Sequence, residues 1–376
     1  MKKTYIDTAM ERIAPDLILK GGNVVDVFSG RVIKADVIIK DGIICGVGSY
    51  SGENEQDVSG KYIMPGFIDS HVHIESSMTQ PSEYAKAVMP HGITTVIADP
   101  HEITNVCGED GLEFMLKSAK NIPLDVNLML PSCVPATPFE HTGANLDAKT
   151  TQKLAPKFFG IGEMMNYPGI VSGDDETLGK LCLDIIDGHA PLLSGHELDA
   201  YASAGIKTDH ECSVVEEMTE KISKGMYILL REGTLSLDVA KLIKGVTPYT
   251  LRRCAFCTDD RFVGEIIRDG SIDHCIRKAV SLGLNNIDAI IMATLNACEI
   301  YGMKNKGAIA PSYVADIVVA DDLNLSSISQ VYKNGKLVCK NGKALFECET
   351  VDNSKVTNTV HLPKISADFF KTDVKD

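Results

Sequence analysis

Basic side chains are in short supply: 37 Lys and Arg stand against 51 Asp and Glu, a formal charge of −14 with histidine neutral. That balance excludes a protein that clings to phosphate backbones, so no nucleic-acid partner is expected. No apolar run approaches the ~18 residues a membrane span needs, and no membrane partner is expected either. The N-terminal stretch lacks the apolar middle of a signal peptide, because Asp7, Glu11 and Arg12 interrupt it, and a cytoplasmic chain is the expectation. Low-complexity tracts are absent, and with 44% hydrophobic and 23% charged residues the composition is that of an ordinary globular protein. The eleven cysteines offer one motif-like pair, Cys254-x-x-Cys257, with no second pair at zinc-site spacing. Most are expected to be small buried hydrophobes in a reducing compartment.

What is present divides the 376 residues into two textures. LILKGGNVVDV and KADVIIKDGIICGVG read as alternating strands, with turns expected at Gly21-Gly22 and Asp41-Gly42. The same texture returns in ADIVVAD and VYKNGKLVCKNGKAL, which carry turn signals at Asn334-Gly335 and Asn341-Gly342. One small β domain assembled from both chain ends follows. Between the flanks, eight short apolar runs alternate with helical patterns at 82–90, 109–120, 174–183, 214–224, 236–243 and 286–301. The runs are YIMPGFIDSHVH, ITTVIADPH, VNLMLPS, FFGIGEM, the stretch ending in DGHAP, GIKTDHE, MYILLREG and CAFCTDD. Eight such units predict an α/β protein, a (β/α)8 TIM-type barrel, with the composite β-sandwich domain beside it. The boundaries expected are 1–62 and 305–349 for the two parts of the β domain, 63–304 for the barrel and 350–376 for a tail.

Barrel chemistry sits where strands end. The first strand closes in Asp69-Ser-His71-Val-His73-Ile-Glu75, and alternation in an extended chain puts both imidazoles on one face, ~6–7 Å apart along the strand, able to converge on one cation. Glu163, His189, His210 and Asp259 follow later apolar runs. Each alone is weak evidence; together they supply four imidazoles and two carboxylates, enough for two metal ions and a bridging carboxylate. His101, Glu102, Arg231, Glu232 and Asp260 also follow strands, and with Glu75 they are candidate substrate contacts.

The segments PGFIDSHVHIESSM, ADPHEITNVCG, LPSCVPATPFE, GIGEMMN, DGHAP, TDHE, REGT, CTDDR and MATLNACEIYGMKNKGAIAPSYVADIVV resemble the adenine deaminase family of the amidohydrolase superfamily, from about residue 17 to 366. The resemblance implies hydrolysis of adenine to hypoxanthine and ammonia in purine salvage, by a homo-oligomer holding two divalent ions, Mn²⁺ or Fe²⁺. It implies that His71, His73 and Asp259 hold the first ion, that His189 and His210 hold the second, and that Glu163 bridges them where many relatives use a carboxylated lysine. Asp259 is then the expected proton shuttle, with Glu163 the second catalytic residue. His196 departs from the family pattern, which more often has lysine there, and the segment LPKISADFFKTDVKD resembles the start of a further C-terminal region rather than an ending.

A cytidine-deaminase-type site is excluded, since Arg253 stands where its motif needs proline and His73-x-Glu75 lies far from Cys254. A cyclic amide hydrolase of the same superfamily would share the histidines and the strand-end Asp; Glu163 with no lysine on the fourth strand, and the DPHE and TDHE segments, argue against it. A truncated, weakly active metal-binding remnant is the third reading.

Overall fold

The computed structural model describes residues 1–372. Its centre is a ring of eight short parallel strands: Phe67–Val72, Ile93–Ala98, Asp125–Leu130, Gly160–Met164, Ile186–Gly188, Thr208–Asp209, Tyr227–Arg231 and Cys254–Cys257. The first five form one sheet and the last three another. The Lys207 amide, which donates to the Ile186 carbonyl at 3.4 Å, joins the two on one side. A parallel bridge between Val72 and Asp259 joins them on the other. This is the (β/α)8 barrel; its strands are largely buried, and the polar residues they carry, such as Asp69, His71, Asp187 and Asp209, are buried with them.

Strands from both chain ends build the smaller domain as one nine-stranded sheet. Tyr62–Pro65 is its pivot: it pairs in parallel with Leu17–Asp26 and antiparallel with Ile317–Ala320, so the two ends of the chain meet across it. The sheet curls until the hairpin at Gly42–Ile44 bonds to Tyr313 and Ala315, each at 2.8 Å, and it encloses Leu19, Val37, Ile39, Ile63, Ile317 and Val319. The expected turns at Asp41-Gly42, Asn334-Gly335 and Asn341-Gly342 are present, with positive φ at all six residues. Gly21-Gly22 is not a turn. It lies inside Leu17–Asp26 at a shift of register, where Gly21 at φ 70° lets its amide reach Asp36; the turn falls at 27–30, organised by the Asp26 carboxylate.

The run YIMPGFIDSHVH serves two sheets, dividing at Gly66, where a Cβ would meet Thr94 Oγ1 at 2.2 Å. Among the helices, the one expected at 109–120 begins earlier, at His101, and kinks at Gly108; the one expected at 286–301 breaks at Thr294. Helices at Ala148–Leu154, Gly195–Ser203, Val263–Asp269 and Ile272–Ser281 were not legible, the first three being short and weakly periodic. No helix of the described residues is long and apolar enough to cross a membrane.

Charge fastens the barrel floor to the small sheet. Asp316 Oδ2 lies 2.8 Å from Lys306 Nζ and 2.7 Å from Lys333 Nζ, and Lys333 is also 2.7 Å from Asp125, the first residue of the third barrel strand. Lys333 is buried, so an unpaired ammonium there has no water to turn to. Asp316→Ala should therefore lower the unfolding free energy by ~3–5 kcal/mol in urea titration, whereas a loss below ~1 kcal/mol would show that Asp125 alone satisfies both lysines.

Candidate metal centre

Four imidazoles and two carboxylates meet inside the C-terminal mouth of the ring. His71 ends the first strand's inward face and His73 follows it, and the two Nε2 atoms are 3.1 Å apart. The His73 Nδ1–H donates to the Asp99 carbonyl at 2.8 Å, which turns its Nε2 toward His71 and Asp259. Asp259 Oδ1 completes this group, 3.2 Å from His73 Nε2 and 3.6 Å from His71 Nε2. His189 and His210, each one residue past its strand, form a second group around the other side of Glu163. His210 stacks on His71 with ring centroids 4.0 Å apart.

Glu163 stands between the groups with its two oxygens divided. Oε2 is 2.6 Å from His189 Nδ1 and 3.2 Å from His210 Nε2. Oε1 is 3.5 Å from His73 Nε2 and 3.1 Å from His101 Nδ1. Burial pushes this carboxyl up, but bonds to His101, His189 and His210 more than offset it and hold it well below the usual carboxylate range. Asp259 is likewise held low: burial opposes ionisation, and the bond to His73 with the nearby His210 charge outweighs it. Both are anions throughout the physiological range.

A second layer of buried carboxylates aims these groups, and it was not singled out from the sequence. Asp99 accepts from the Glu163 amide at 2.9 Å, a contact possible only because residue 162 is glycine, whose Cβ would lie 2.2 Å from that carboxylate. Asp187, 3.6 Å from His71 Nδ1, takes the Tyr301 and Thr208 hydroxyls. Asp209, paired with buried Lys221 at 3.0 Å, holds the Ala190 amide beside His189. Each stands at a strand end next to a more conspicuous histidine or glutamate. That adjacency, in DPH, IDGH and TDH, is the signal that could have found them. Glu211 was also passed over, although its Oε1 comes within 3.6 Å of His210 Nε2.

The remaining expected residues separate into two sets. His101, Glu102, Glu75 and Asp260 face the mouth beside His73: Glu102 is 3.5 Å from His73 Nδ1, Glu75 accepts from the Ile103 amide at 3.3 Å, and Ser76 bonds to Asp260. Burial and then the Glu102 charge push Glu75 up to about 8, while bonds to Asp99 and Glu163 override burial and raise His101 to about 11. Arg231 and Glu232 are engaged within the protein. Arg231 is ringed by Glu211, Asp238 and Asp259, and Glu232 is turned to Lys278 on helix Ile272–Ser281. Asp69, which alternation puts on the face of His71, is spent on Thr258, accepting from its amide at 3.0 Å. A recess of about 710 Å³ opens beside the third and fourth strand ends, walled by Val134, Phe139, Met165 and Tyr167.

The donor set fits a divalent metal. The candidate ligand atoms of His71, His73 and Glu163, of His71, His210 and Asp259, and of Glu163, His189 and His210 lie within 4.8 Å of one another in each group. Imidazole with carboxylate suits first-row divalent ions. Both His71 and His210 turn Nε2 into the cluster, toward Asp259 Oδ1 at 3.6 Å and Glu163 Oε2 at 3.2 Å, so the donor atoms converge on one space.

Residues 62–345 match the Amidohydrolase family model. The chain is 50% identical over 369 residues to the adenine deaminase of Clostridium acetobutylicum, covering 96% of this chain and 65% of that one. It is 48% identical to adenine deaminase 2 of Desulfotalea psychrophila, covering 99% and 66%. The chain thus spans just under two thirds of the length of these curated relatives. Among solved structures, an enamidase described as an amidohydrolase-superfamily member superposes with a TM-score of 0.64 at 18% identity, covering 89% of this chain and 99% of that one. The β-aspartyl dipeptidase of Fervidobacterium islandicum AW-1 gives 0.62 at 20% identity, covering 89% and 98%, and at these identities the likeness shows the fold.

If Glu163 is a ligand, Glu163→Gln should weaken Mn²⁺ binding by ~10-fold or more, because an amide brings no charge and one oxygen. Competition with a chelator measures this, and unchanged affinity would remove Glu163 from the ligand set.

Proposed function

Because the chain belongs to the amidohydrolase family, we propose that it carries the hydrolytic deaminase activity for which the curated relatives above are named, converting adenine and water to hypoxanthine and ammonia. The observation that carries this is the division of Glu163: one oxygen faces the His73 side and the other the His189–His210 side, as a carboxylate bridging two cations requires. On this reading His71, His73 and Asp259 hold one ion, His189 and His210 the other, with Mn²⁺ or Fe²⁺ the expected species. Divalent ions held by these residues would supply the nucleophile, lowering the pKa of water toward ~7.

The residues do the rest. A C–O bond forms at C6 of the ring and the C6–N6 bond breaks; of the attacking water's two protons one ends on ring N1 and the other must travel to the departing nitrogen. Asp259, ionised and fixed on the rim of the eighth strand, accepts that proton and passes it on. Its φ of 56° is a conformation few non-glycine residues adopt; it bends the chain so that the carboxylate turns back over His71 and His73. The ring presents acceptors at N1, N3 and N7 and a donor at N9. Glu75, His101, Glu102 and Asp260 line the mouth where such edges are read. A cytoplasmic homo-oligomer acting in purine salvage is the setting we propose.

Two outcomes test the reading. Chelation should abolish hypoxanthine formation and added Mn²⁺ or Fe²⁺ restore it; activity after full demetallation, or turnover of a dihydropyrimidine in place of adenine, would overturn it. Asp259→Asn should lose ~10²–10⁴-fold in kcat. A near-normal rate there beside a dead Asp260→Asn would move the proton transfer to Asp260.

A further inference from the structure

Arg231 ends the seventh barrel strand with its guanidinium buried. Its Nε donates to Asp238 Oδ2 at 3.1 Å, and Nη2 lies 3.0 Å from that oxygen and 3.3 Å from Glu211 Oε2. Nη1 meets Glu211 Oε1 and donates to Asp259 Oδ2 at 3.0 Å. All three nitrogens of the fork are therefore engaged by protein carboxylates, and little donor capacity remains for a substrate. The consequence falls on Asp259, whose oxygens are divided: Oδ2 on Arg231, Oδ1 on the imidazole pair. Its backbone is held too, the Asp259 amide donating to the His71 carbonyl at 3.0 Å and the His73 amide to the Asp259 carbonyl at 3.3 Å.

We infer that Arg231 is a positioning residue: it holds Oδ2 of Asp259 so that Oδ1 is presented to the His71–His73 pair, and Glu211 and Asp238 fix the guanidinium in that pose. Three carboxylates around one guanidinium also leave the wall of the site net anionic, which favours cation entry. Lysine does not reproduce the arrangement, because an ammonium lacks the planar fork that reaches three carboxylates at once. The inference rests on the proposed reading only in taking His71, His73 and Asp259 as ligands.

The test is a double-variant cycle read by Mn²⁺ binding. Metal-stripped unaltered protein, Arg231→Met, Arg231→Lys, Asp259→Asn and the Arg231→Met/Asp259→Asn pair are titrated with Mn²⁺ against a chelator. Arg231→Met should weaken binding ~10–100-fold, the range for groups that orient a ligand, and Arg231→Lys should recover only a small part. The double variant should bind within ~2-fold of Asp259→Asn alone, since the two act through one contact. In turnover, Arg231→Met should lower kcat by a factor of the same order and move KM for adenine by less than ~3-fold. Additive losses in the double variant would overturn the inference. So would a large rise in KM with kcat and Mn²⁺ affinity intact, the signature of a substrate contact. Should Arg231→Met fail to fold by circular dichroism, Glu211→Gln, which loosens the same fork, should shift Mn²⁺ binding in the same direction, and no shift would refute the positioning role. If the unaltered protein binds Mn²⁺ yet deaminates no adenine, the proposed function fails while the Mn²⁺ cycle still decides Arg231.

Discussion

A single buried carboxylate sets the terms for everything around it. Glu163 has no solvent to face, so its charge is tolerated only because imidazoles approach both oxygens, and those imidazoles come from four different strand ends. For that to happen the barrel must bring the first, second, fifth and sixth strands to within a few ångströms of the fourth at one level, which the closed ring does and an open sheet does not. Behind it, the Asp99 carboxylate and Ser132 hydroxyl pin the glutamate's backbone, and Gly162 makes room for the Asp99 carboxylate. The scaffold is rigid where the chemistry needs it rigid.

Much of this was legible in the chain. The eight apolar runs became the eight barrel strands, because parallel strands buried on both faces have to be apolar and their ends have to carry whatever is polar. His71, His73, Glu163, His189, His210 and Asp259 stand out for that reason, and the structure brings all six together. What stayed hidden follows from the same physics. Asp99, Asp187, Asp209 and Glu211 act sideways, through contacts to residues distant in sequence, Glu211 to His189 and Arg231, and a single strand's pattern does not reveal its cross-ring partner. Arg231 and Glu232 show the converse: a charged residue after a strand is available to a substrate only if no neighbour has taken it, and both have been taken by groups tens of residues away. Gly21-Gly22 was misjudged because a bulge and a turn ask for the same positive φ.

The acidic character of the whole chain acquires a local meaning at the mouth. Glu102, Glu163, Glu211, Asp259 and Asp260 crowd there against Arg231 as the guanidinium among them, so the field favours cations over anions. Burial opposes the charged form of His73, His101 and His189, and neighbouring carboxylates outweigh it and raise all three. An imidazole must be free of its proton to ligate a metal, so metal affinity should fall in acid.

The pivot strand Tyr62–Pro65 has a consequence for how the molecule is made. Its partner Ile317–Ala320 lies beyond the entire barrel in the chain, so during synthesis, at ~5–20 residues per second, the first half of the small sheet must wait on the order of ten seconds or more with that edge bare. Pairing of such high contact order closes late and slowly. The barrel's own strands and helices are free to assemble in that interval, and Ile317–Ala320 is the stitch that joins the two halves, after which Ile328–Lys333 and Lys336–Lys340 extend the sheet outward.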